Sequence, residues 1–400
     1  MAKGNPVVLA GLDLGTSKTA VAIAAVKNAS LELLGLGESP SIGVQKGIVT
    51  DTESAARSVR QALEKAEKMA GLKIDYVYLS FNGAGVKVRG CCLENPAVDM
   101  PAGSAKVYPN AVHDIPAVTG IPHDEELLQI IPPRTGLIGF GREARAITAR
   151  SRDLEQLTRS VRLAGLESKG IIYGPLAAAE ALLLPSEREF GAVLADIGAG
   201  LTSVSVFDRC LLRETAVFPL GGEHLTSDLA IGLRTTLGQA QEILQAGCLG
   251  EDAERSDNRD LTVEQAGPVT GERDQLARSI IKARAEEIID LISASIREFD
   301  YPGTLPGGVI FSGGVASLAG LAKLAEDKLQ QPVKTRTAPQ DVAAGPAYAG
   351  ALGLLRCAYR HADPPGKNFS KGGLKESAAK ILDWFHVQLN DYKAGQSKKH

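Results

Sequence analysis

Two short segments of the chain combine an aspartate with glycines and donors, a set suited to holding a phosphate chain. In the first segment, DLGTSK, the candidate residues are Asp13, Gly15, Thr16, Ser17 and Lys18. Gly15 lets the backbone approach a ligand closely, and the residues after it donate hydrogen bonds. Apolar runs on both sides predict a hairpin turn between buried strands. Taken alone, such a turn is more often only structural.

The second segment repeats this device roughly one domain-length later, in DIGAGLTSVSVF. Its candidate residues are Asp196, Gly198, Gly200 and Thr202. Two such turns can approach a phosphate chain with backbone N–H groups from both sides, while Asp13 and Asp196 hold Mg²⁺ through water. The repetition favours a ligand site over two unrelated turns.

A third segment, SGGVASLAG, places Gly313 and Gly314 between a predicted strand and a predicted helix. Without side chains, these positions allow a flat base or a ribose to lie against the backbone. The alternative is a glycine-rich turn from strand to helix with no ligand, and the segment alone does not separate the two interpretations.

The elements that position these segments follow from the spacing of apolar residues. The pattern predicts helices over residues 52–70, 154–164, 176–184, 275–299, 341–356 and 374–393. It predicts strands over residues 76–81, 170–173, 192–195 and 308–311. Proline-rich turns from about 83 to 162 indicate an inserted small domain, and residues 248–273 are predicted to be irregular.

These elements, in this order, resemble the superfamily of actin, sugar kinases and Hsp70 ATPases. The segments GPLAAAEALL and DVAAGPAYAGALGLL resemble its two connecting helices. Within it, the chain resembles the bacterial FtsA cell-division family, through GLDLGTSKTAVAI, IDYVYLSFNG, LGGEHLTSDLAIGLRTTLGQAQEI and VIFSGGVASLAGL. The resemblance implies an α/β, two-lobed actin-like ATPase fold of two RNase H-like domains. The expected fold also includes a small α+β insertion domain in the first lobe and a C-terminal amphipathic helix.

The resemblance also gives domain boundaries. The expected parts are a first-lobe core (1A) at 1–83 and 163–193, an inserted domain (1C) at 84–162, a second-lobe core (2A) at 194–226 and 306–340, its subdomain (2B) at 227–305, a return helix at 341–361, a linker at 362–373 and a tail at 374–400.

Ligands and partners are implied by the same resemblance. ATP and Mg²⁺ are the expected cofactors, with Gly221 and Gly222 beside the nucleotide and with Arg284 and Glu287 reaching its ribose or base. The alternative for the last two residues is a solvated ion pair three positions apart on one helix. The expected partners are the C-terminal peptide of FtsZ, other copies of this chain in filaments, membrane lipid and later division proteins.

The chain departs from the family pattern where hydrolysis depends on polar side chains. Ala199, Leu201 and Ser203 replace the second glycine, the first threonine and the aspartate of the usual second phosphate loop, and Val315 replaces a common third glycine. Pro175 and Leu176 stand near the place of a polar water-orienting side chain. We therefore expect at most a slow ATPase, with no catalytic residue assigned.

The C-terminal tail has one continuous apolar face in helical spacing. The residues expected to contact membrane are Leu374, Ala378, Ile381, Leu382, Trp384, Phe385 and Leu389. Trp384 stands at the boundary of this face, where an indole prefers the headgroup region. The alternative is a helix that packs on its own domain or on another copy, and the Pro/Gly linker before it argues against tight packing.

Composition excludes several classes of protein. The 44 Lys+Arg and 47 Asp+Glu give a net charge of −3, so we expect no nucleic-acid partner. The 5 cysteines form no CxxC pair, which indicates neither a disulfide framework nor a zinc site. No apolar run approaches the roughly 20 residues that span a bilayer. Any membrane contact is therefore expected to be peripheral, and the family resemblance implies a location at the cytoplasmic face of the cell membrane, at the division septum.

The residues favour one of three candidate functions. A nucleotide-binding adaptor that polymerises and holds FtsZ at the membrane fits all the segments. A sugar or acyl kinase needs an aspartate base beside an acceptor hydroxyl, and none is evident beside the loops. A PilM-like ATPase of pilus assembly has a similar insertion, and the amphipathic tail weighs against it.

Overall fold

The computed structural model describes residues 7–27, 30–93, 118–131, 143–246, 261–263, 267–269, 271–301, 305–336 and 348–361. The strands are β1 (Val8–Leu14), β2 (Lys18–Lys27), β3 (Ser30–Pro40), β4 (Val44–Gln45), β5 (Ile48–Val49), β6 (Tyr76–Phe81), β7 (Lys87–Leu93), β8 (Val118–Thr119), β9 (Glu125–Ile131), β10 (Glu143–Arg150), β11 (Glu167–Tyr173), β12 (Ala192–Ile197), β13 (Thr202–Asp208), β14 (Leu211–Phe218), β15 (Leu261–Val263), β16 (Gly267–Val269), β17 (Val309–Ser312) and β18 (Val333–Thr335). The helices are α1 (Thr52–Ala70), α2 (Ser151–Leu163), α3 (Gly174–Leu182), α4 (Pro185–Phe190), α5 (Gly222–Gly232), α6 (Leu237–Ala246), α7 (Glu272–Glu298), α8 (Leu321–Leu329) and α9 (Ala349–His361).

Two five-stranded sheets share one topology. The first has the order β11-β6-β1-β2-β3 and the second the order β18-β17-β12-β13-β14. In each sheet the first three strands along the chain pair antiparallel. The fourth strand pairs parallel with the first, and the fifth pairs parallel with the fourth. The hairpins β1–β2 and β12–β13 therefore occupy equivalent places in two similar lobes, as the sequence predicted.

Helix α1 begins and ends where the sequence predicted. The side chain of Asp51 accepts hydrogen bonds from the N–H groups of Glu53 and Ser54, which satisfies donors that a helix start leaves free. Gly71 has φ 69° and ends the helix in the left-handed conformation that glycine adopts without strain. Buried Ala55, Val59 and other small residues on one face pack the helix against β3.

Each lobe has its own hydrophobic core. In the second lobe, the apolar face of α7 packs against β12, β13 and β17. The other face of the second sheet, including Leu194 and Phe207, joins the core of the first lobe. Burial on both faces makes the central strands continuous apolar runs, which is why the sequence located them.

Between β6 and β11 the chain forms a separate four-stranded sheet with the order β8-β7-β10-β9. Arg145 of β10 donates through Nη1 and Nη2 to both carboxylate oxygens of Glu214 on β14, and Nη2 also bonds the Arg213 carbonyl at 2.6 Å. This sheet therefore contacts the second lobe as well as the first. It confirms the insertion in the predicted fold, while the exact domain boundaries stay predictions.

Some predicted elements differ from the observed ones. The helix expected over 176–184 is observed as α3, which begins and ends two residues earlier, at Gly174 and Leu182. A separate short helix that was not predicted, α4, begins at Pro185, which has no N–H to continue the first helix. Residues 248–273, expected to be irregular, include the paired strands β15 and β16 and the start of α7. The return helix is described from Ala349 to His361, so it extends past residue 356, where the apolar spacing placed its end. The predicted linker and tail lie outside the described residues.

A buried ion-pair cluster stabilises the inserted sheet. The Glu125 side chain is 3% exposed and accepts hydrogen bonds from Arg89 Nε at 2.7 Å and Arg89 Nη2 at 2.6 Å. Thr148 Oγ1 donates to it at 2.6 Å. These donors, above all Arg89, lower the pKa of the Glu125 carboxyl from 4.5 to about 2.

Replacing Glu125 with glutamine should destabilise the protein strongly at neutral pH and less in acid. A carboxyl whose pKa is lowered on folding stabilises the fold above its unfolded pKa, and this contribution is lost as pH falls from about 4.5 towards about 2. We expect a loss of about 2 kcal/mol in the free energy of unfolding at about pH 7. Urea unfolding at several pH values measures it, and a loss that does not change with pH would contradict this reason.

Candidate functional site

The two predicted hairpin turns have the same hydrogen bonding. In loop 1 (residues 15–18), Gly15 N–H donates to the Lys18 carbonyl at 3.0 Å, and in loop 2 (residues 198–201), Gly198 N–H donates to the Leu201 carbonyl at 2.8 Å. Loop 2 is thus the structural counterpart of loop 1. By this correspondence, Leu201 occupies the place that Lys18 occupies in loop 1.

Each candidate metal-holding aspartate accepts a hydrogen bond from a serine on the neighbouring parallel strand. Ser80 Oγ on β6 donates to Asp13 Oδ1, and Ser312 Oγ on β17 donates to Asp196 Oδ1 at 2.7 Å. Sequence reasoning missed both serines. The available signal was a serine near the end of each strand that pairs parallel to the aspartate strand.

The two aspartates and Lys18 form one half-buried electrostatic group. Burial raises the pKa of Asp13, opposed by the hydrogen bond from Ser80 and the charge of Lys18. Burial also raises the pKa of Asp196; the Ser312 hydrogen bond opposes this shift, and the Asp13 charge adds to it. Burial lowers the pKa of Lys18.

These donors fit a magnesium ion. Asp13 and Asp196 supply two carboxylates that Lys18 only half neutralises, and carboxylate oxygens and water are the ligands that Mg²⁺ prefers. Over the described part of the chain, no group of three or more His, Cys, Asp and Glu side chains could hold a metal. Few protein ligands are typical of a magnesium ion that is bound together with phosphates. When bound, the ion would neutralise phosphate charge.

Loops 1 and 2 touch each other at Gly200. A Cβ atom at Gly200 would lie 2.7 Å from Thr16 Oγ1, so this position requires glycine. Thr16 Oγ1 also accepts a hydrogen bond from Gly47 N–H at 3.0 Å. Because that oxygen is an acceptor here, its own proton remains available for a ligand. Ser17 is exposed beside it.

Gly221 and Gly222 lie directly against loop 2. Gly222 N–H donates to the Gly198 carbonyl at 2.9 Å, and Glu223 N–H donates to the Ala199 carbonyl at 2.8 Å. A Cβ atom at Gly221 would lie 2.5 Å from the Gly198 carbonyl oxygen. The structure therefore brings this predicted pair and the second phosphate loop together.

Gly313 and Gly314 differ in their surroundings. Gly313 has φ 86° and packs on β12, where a Cβ atom would lie 2.3 Å from the Ile197 carbonyl oxygen and 2.9 Å from Asp196 Oδ1. Gly314 has φ −64° and ψ −36°, and a Cβ atom there would have no neighbour within 4 Å. Gly313 thus fixes the turn beside Asp196, and Gly314 presents bare backbone to open space.

Three predicted site residues bond within the protein. Thr202 is fully buried, and its hydroxyl donates to the Leu220 carbonyl at 2.8 Å. Arg284 Nε donates to Asp228 Oδ2 at 2.7 Å, and Arg284 Nη1 pairs with Glu287. The last two residues therefore form the ion pair that the sequence left as the alternative, and the ligand contacts of all three stay predictions.

The two helices that join the lobes cross beneath the site. A Cβ atom at Gly353 of α9 would lie 1.8 Å from the Ala177 carbonyl oxygen of α3. One at Gly350 would lie 2.3 Å from Asp13 Oδ2. Glycines at these positions let the helices approach each other and the Asp13 carboxylate.

Solved structures of similar fold place the chain in a class. The subunit of a PilM-PilN type IV pilus biogenesis complex superposes with a TM-score of 0.63 and 19% identity, covering 88% of this chain and 99% of that one. MreB5 of Spiroplasma citri bound to ADP superposes with a TM-score of 0.53 and 15% identity, covering 88% and 94%. Two lobes of equal topology with facing aspartate hairpins thus define an actin-like ATPase fold.

Sequence comparison identifies the family within this class. Residues 193–353 match the family model "Cell division protein FtsA". The cell division protein FtsA of Bacillus subtilis (strain 168) is 30% identical over 384 residues, which cover 91% of this chain and 86% of that protein. FtsA of Escherichia coli (strain K12) is 28% identical over 381 residues, covering 87% and 89%. The chain belongs to the FtsA family of cell-division proteins.

Proposed function

We propose that the protein is an ATP-binding, actin-like adaptor of cell division. It polymerises at the inner face of the cytoplasmic membrane, tethers the FtsZ ring there and helps to recruit later division proteins. The observation that carries the proposal is the half-buried pair Asp13 and Asp196, each bonded by a serine of the neighbouring strand at the start of two equivalent loops, in a chain of the FtsA family.

Nucleotide binding is the part of the proposal that the site supports most directly. Loops 1 and 2 hold the phosphates, Asp13 and Asp196 hold Mg²⁺ through water, and the backbone at Gly313 and Gly314 receives the nucleoside. Titration calorimetry of the full chain with ATP tests this. We expect saturable one-to-one binding with Mg²⁺ and weaker binding with a chelator. If the titration with ATP shows no heat of binding, and ADP does not compete with ATP, the proposed nucleotide site is wrong.

We expect hydrolysis to be slow. Leu201 and Leu176 are buried where hydroxyl or amide groups would otherwise orient water. Phosphate release at saturating MgATP should stay below about 1 s⁻¹, the low end of ordinary enzyme turnover. Faster turnover that scales with the purified protein would contradict this expectation.

We propose filament formation because solved structures of similar fold include a filament. One of them is a MamK double helical filament, with a TM-score of 0.53 and 16% identity over 89% of this chain. By this likeness of fold, we expect copies of this chain to associate into filaments as well. Filaments would also place many copies of the C-terminal tail on one membrane surface, which raises the residence time of each copy.

The FtsZ contact is proposed in the part of the second lobe that spans residues 226–301. The basic residues of this segment include Arg234, Arg273, Arg278 and Arg297. Arg273 Nη2 bonds the Leu233 carbonyl at 3.2 Å, which joins the start of α7 to the end of α5. Ile231, Leu237 and Leu276 on these helices and α6 are exposed by 74%, 62% and 45%. Apolar surface with arginines nearby suits an acidic peptide that also carries apolar residues.

Reversing one charge on this lobe should weaken FtsZ peptide binding. We expect Arg234→Glu to lower the affinity about fivefold to tenfold at low salt and by less at high salt, because salt screens exposed charges. Lys68→Glu on α1 makes the same charge change on the first lobe and should have no effect. Fluorescence anisotropy of a labelled FtsZ C-terminal peptide measures this. If the affinity for the FtsZ peptide changes neither with salt nor with either substitution, the peptide binds elsewhere.

A pilus-assembly ATPase is the second candidate, favoured by the structural likeness to PilM. At 19% identity that likeness shows the fold alone. The two functions differ in the tail, since only the adaptor needs the apolar face at 374–389 to bind lipid directly.

A further inference from the structure

Asn82 directly follows β6 and lies where the loops of both lobes meet. A Cβ atom at Gly47 would lie 1.9 Å from the Asn82 carbonyl oxygen and 2.8 Å from Leu201 Cδ1 of loop 2. The N–H of the same glycine donates to Thr16 Oγ1 of loop 1 at 3.0 Å. The turn of residues 46–47 therefore connects Asn82 with both phosphate loops.

The side chain of Asn82 lies against the first turn of α3. A Cβ atom at Gly174 would lie 2.9 Å from Asn82 Cβ. Asn82 Oδ1 is buried and accepts no hydrogen bond from the described part of the protein. Buried amide oxygens without a donor are rare because they are costly. Such an oxygen beside a ligand site is an acceptor available to a bound molecule.

The family resemblance expects a water-orienting side chain near the start of the first connecting helix, where this chain has Pro175 and Leu176. Asn82 brings an amide to the start of the same helix from the neighbouring strand. We infer that Asn82 Oδ1 accepts a hydrogen bond from the water molecule that attacks the terminal phosphate of ATP. The inference rests on the proposed nucleotide function.

The chemistry of this step is a transfer of the terminal phosphoryl group to water. The water oxygen forms a new bond to the γ-phosphorus, and the bond to the β–γ bridging oxygen breaks, leaving its electron pair on ADP. The proton of the attacking water passes to a phosphoryl oxygen and then to solvent. Asn82 orients the water and accepts no proton. One neutral acceptor orients water without activating it, which agrees with slow turnover.

Access to Asn82 depends on the separation of the loops. Gly200 lies against Thr16, so phosphate groups that enter between the loops must move them apart. The turn of residues 46–47 contacts both loops and Asn82. Water can therefore reach the buried Asn82 Oδ1 only if bound nucleotide separates these contacts.

The test compares ADP with ADP plus aluminium fluoride, which imitates the phosphoryl group in transfer to water. For Asn82→Ala we expect an ADP affinity within about twofold of the wild type and an affinity for the aluminium fluoride complex about tenfold lower, the effect of one hydrogen bond made only in the transition state. ATP turnover should fall by a similar factor. Gln129→Ala, which removes a buried amide in the inserted sheet, is the matched control and should change neither affinity.

The outcomes separate this inference from the proposed function. If Asn82→Ala unfolds at lower temperature, Asn82→Leu keeps the side-chain volume and gives the same comparison. A wild type that does not bind ADP overturns the proposed function itself. The inference alone is overturned if the wild type binds ADP and both Asn82 variants bind the aluminium fluoride complex as tightly as the wild type does. The inference is also overturned if aluminium fluoride does not raise the affinity of the wild type for ADP.

Discussion

Replacing Gly314 with leucine should abolish ATP binding while the protein stays folded. The backbone at Gly314 has φ −64° and ψ −36°, a conformation that leucine adopts readily, and no atom of the described residues lies within 4 Å of its Cβ position. The new side chain therefore starts in open space, and we expect it to occupy the space assigned to the nucleoside. We expect the affinity for MgATP to fall by about 100-fold or more, equivalent to about 3 kcal/mol.

A matched control exists in the inserted sheet. Gly90 on β7 is also exposed, with no atom within 4 Å of its Cβ position, and it lies away from both loops. Gly90→Leu should leave ATP affinity unchanged in the same calorimetric titration. Unchanged affinity in a folded Gly314→Leu variant would show that the nucleoside does not lie against this turn.

Replacing Phe385 with aspartate should release the protein from membranes. The expected amphipathic tail inserts its apolar face at the headgroup boundary, and each large side chain buried there contributes roughly 1.5–3 kcal/mol. Leu382, Trp384 and Phe385 should therefore dominate, and a charge at 385 should lower lipid affinity about 100-fold. Before the terminal SKKH the acids of the tail balance its lysines, so moderate salt should have little effect.

Trp384 reports this binding directly because it is the only tryptophan in the chain. Its emission should shift to shorter wavelength as liposomes are added to the wild type, and Phe385→Asp should show no shift. Asn390→Asp introduces the same charge on the polar face and should bind nearly as the wild type does. Unchanged emission of the wild type at saturating lipid would identify the tail as a helix that packs on protein.

Local signals made the loops and α1 predictable from the sequence. Asp13 to Lys18 form a turn because glycine and short polar residues stand between two apolar runs, and Asp51 and Gly71 mark the ends of α1. The same reasoning located the second hairpin and Gly313. Each of these features depends on residues that are near one another along the chain.

Contacts between distant segments were not predictable in this way. Ser80 reaches Asp13 only because β6 pairs parallel to β1 across a connection that includes α1. Asn82 reaches the second lobe only through the turn of residues 46–47. Arg284 was assigned from the resemblance alone, and its ion pair with Asp228 depends on the packing of α5 against α7.

The central claim is that this chain links FtsZ to a membrane, and co-sedimentation with liposomes tests it most directly. With MgATP and the full-length chain, FtsZ should pellet with liposomes. It should stay in the supernatant when the chain ends at residue 373. FtsZ that stays in solution beside membrane-bound full-length protein, or that pellets equally with the truncated chain, would contradict the account.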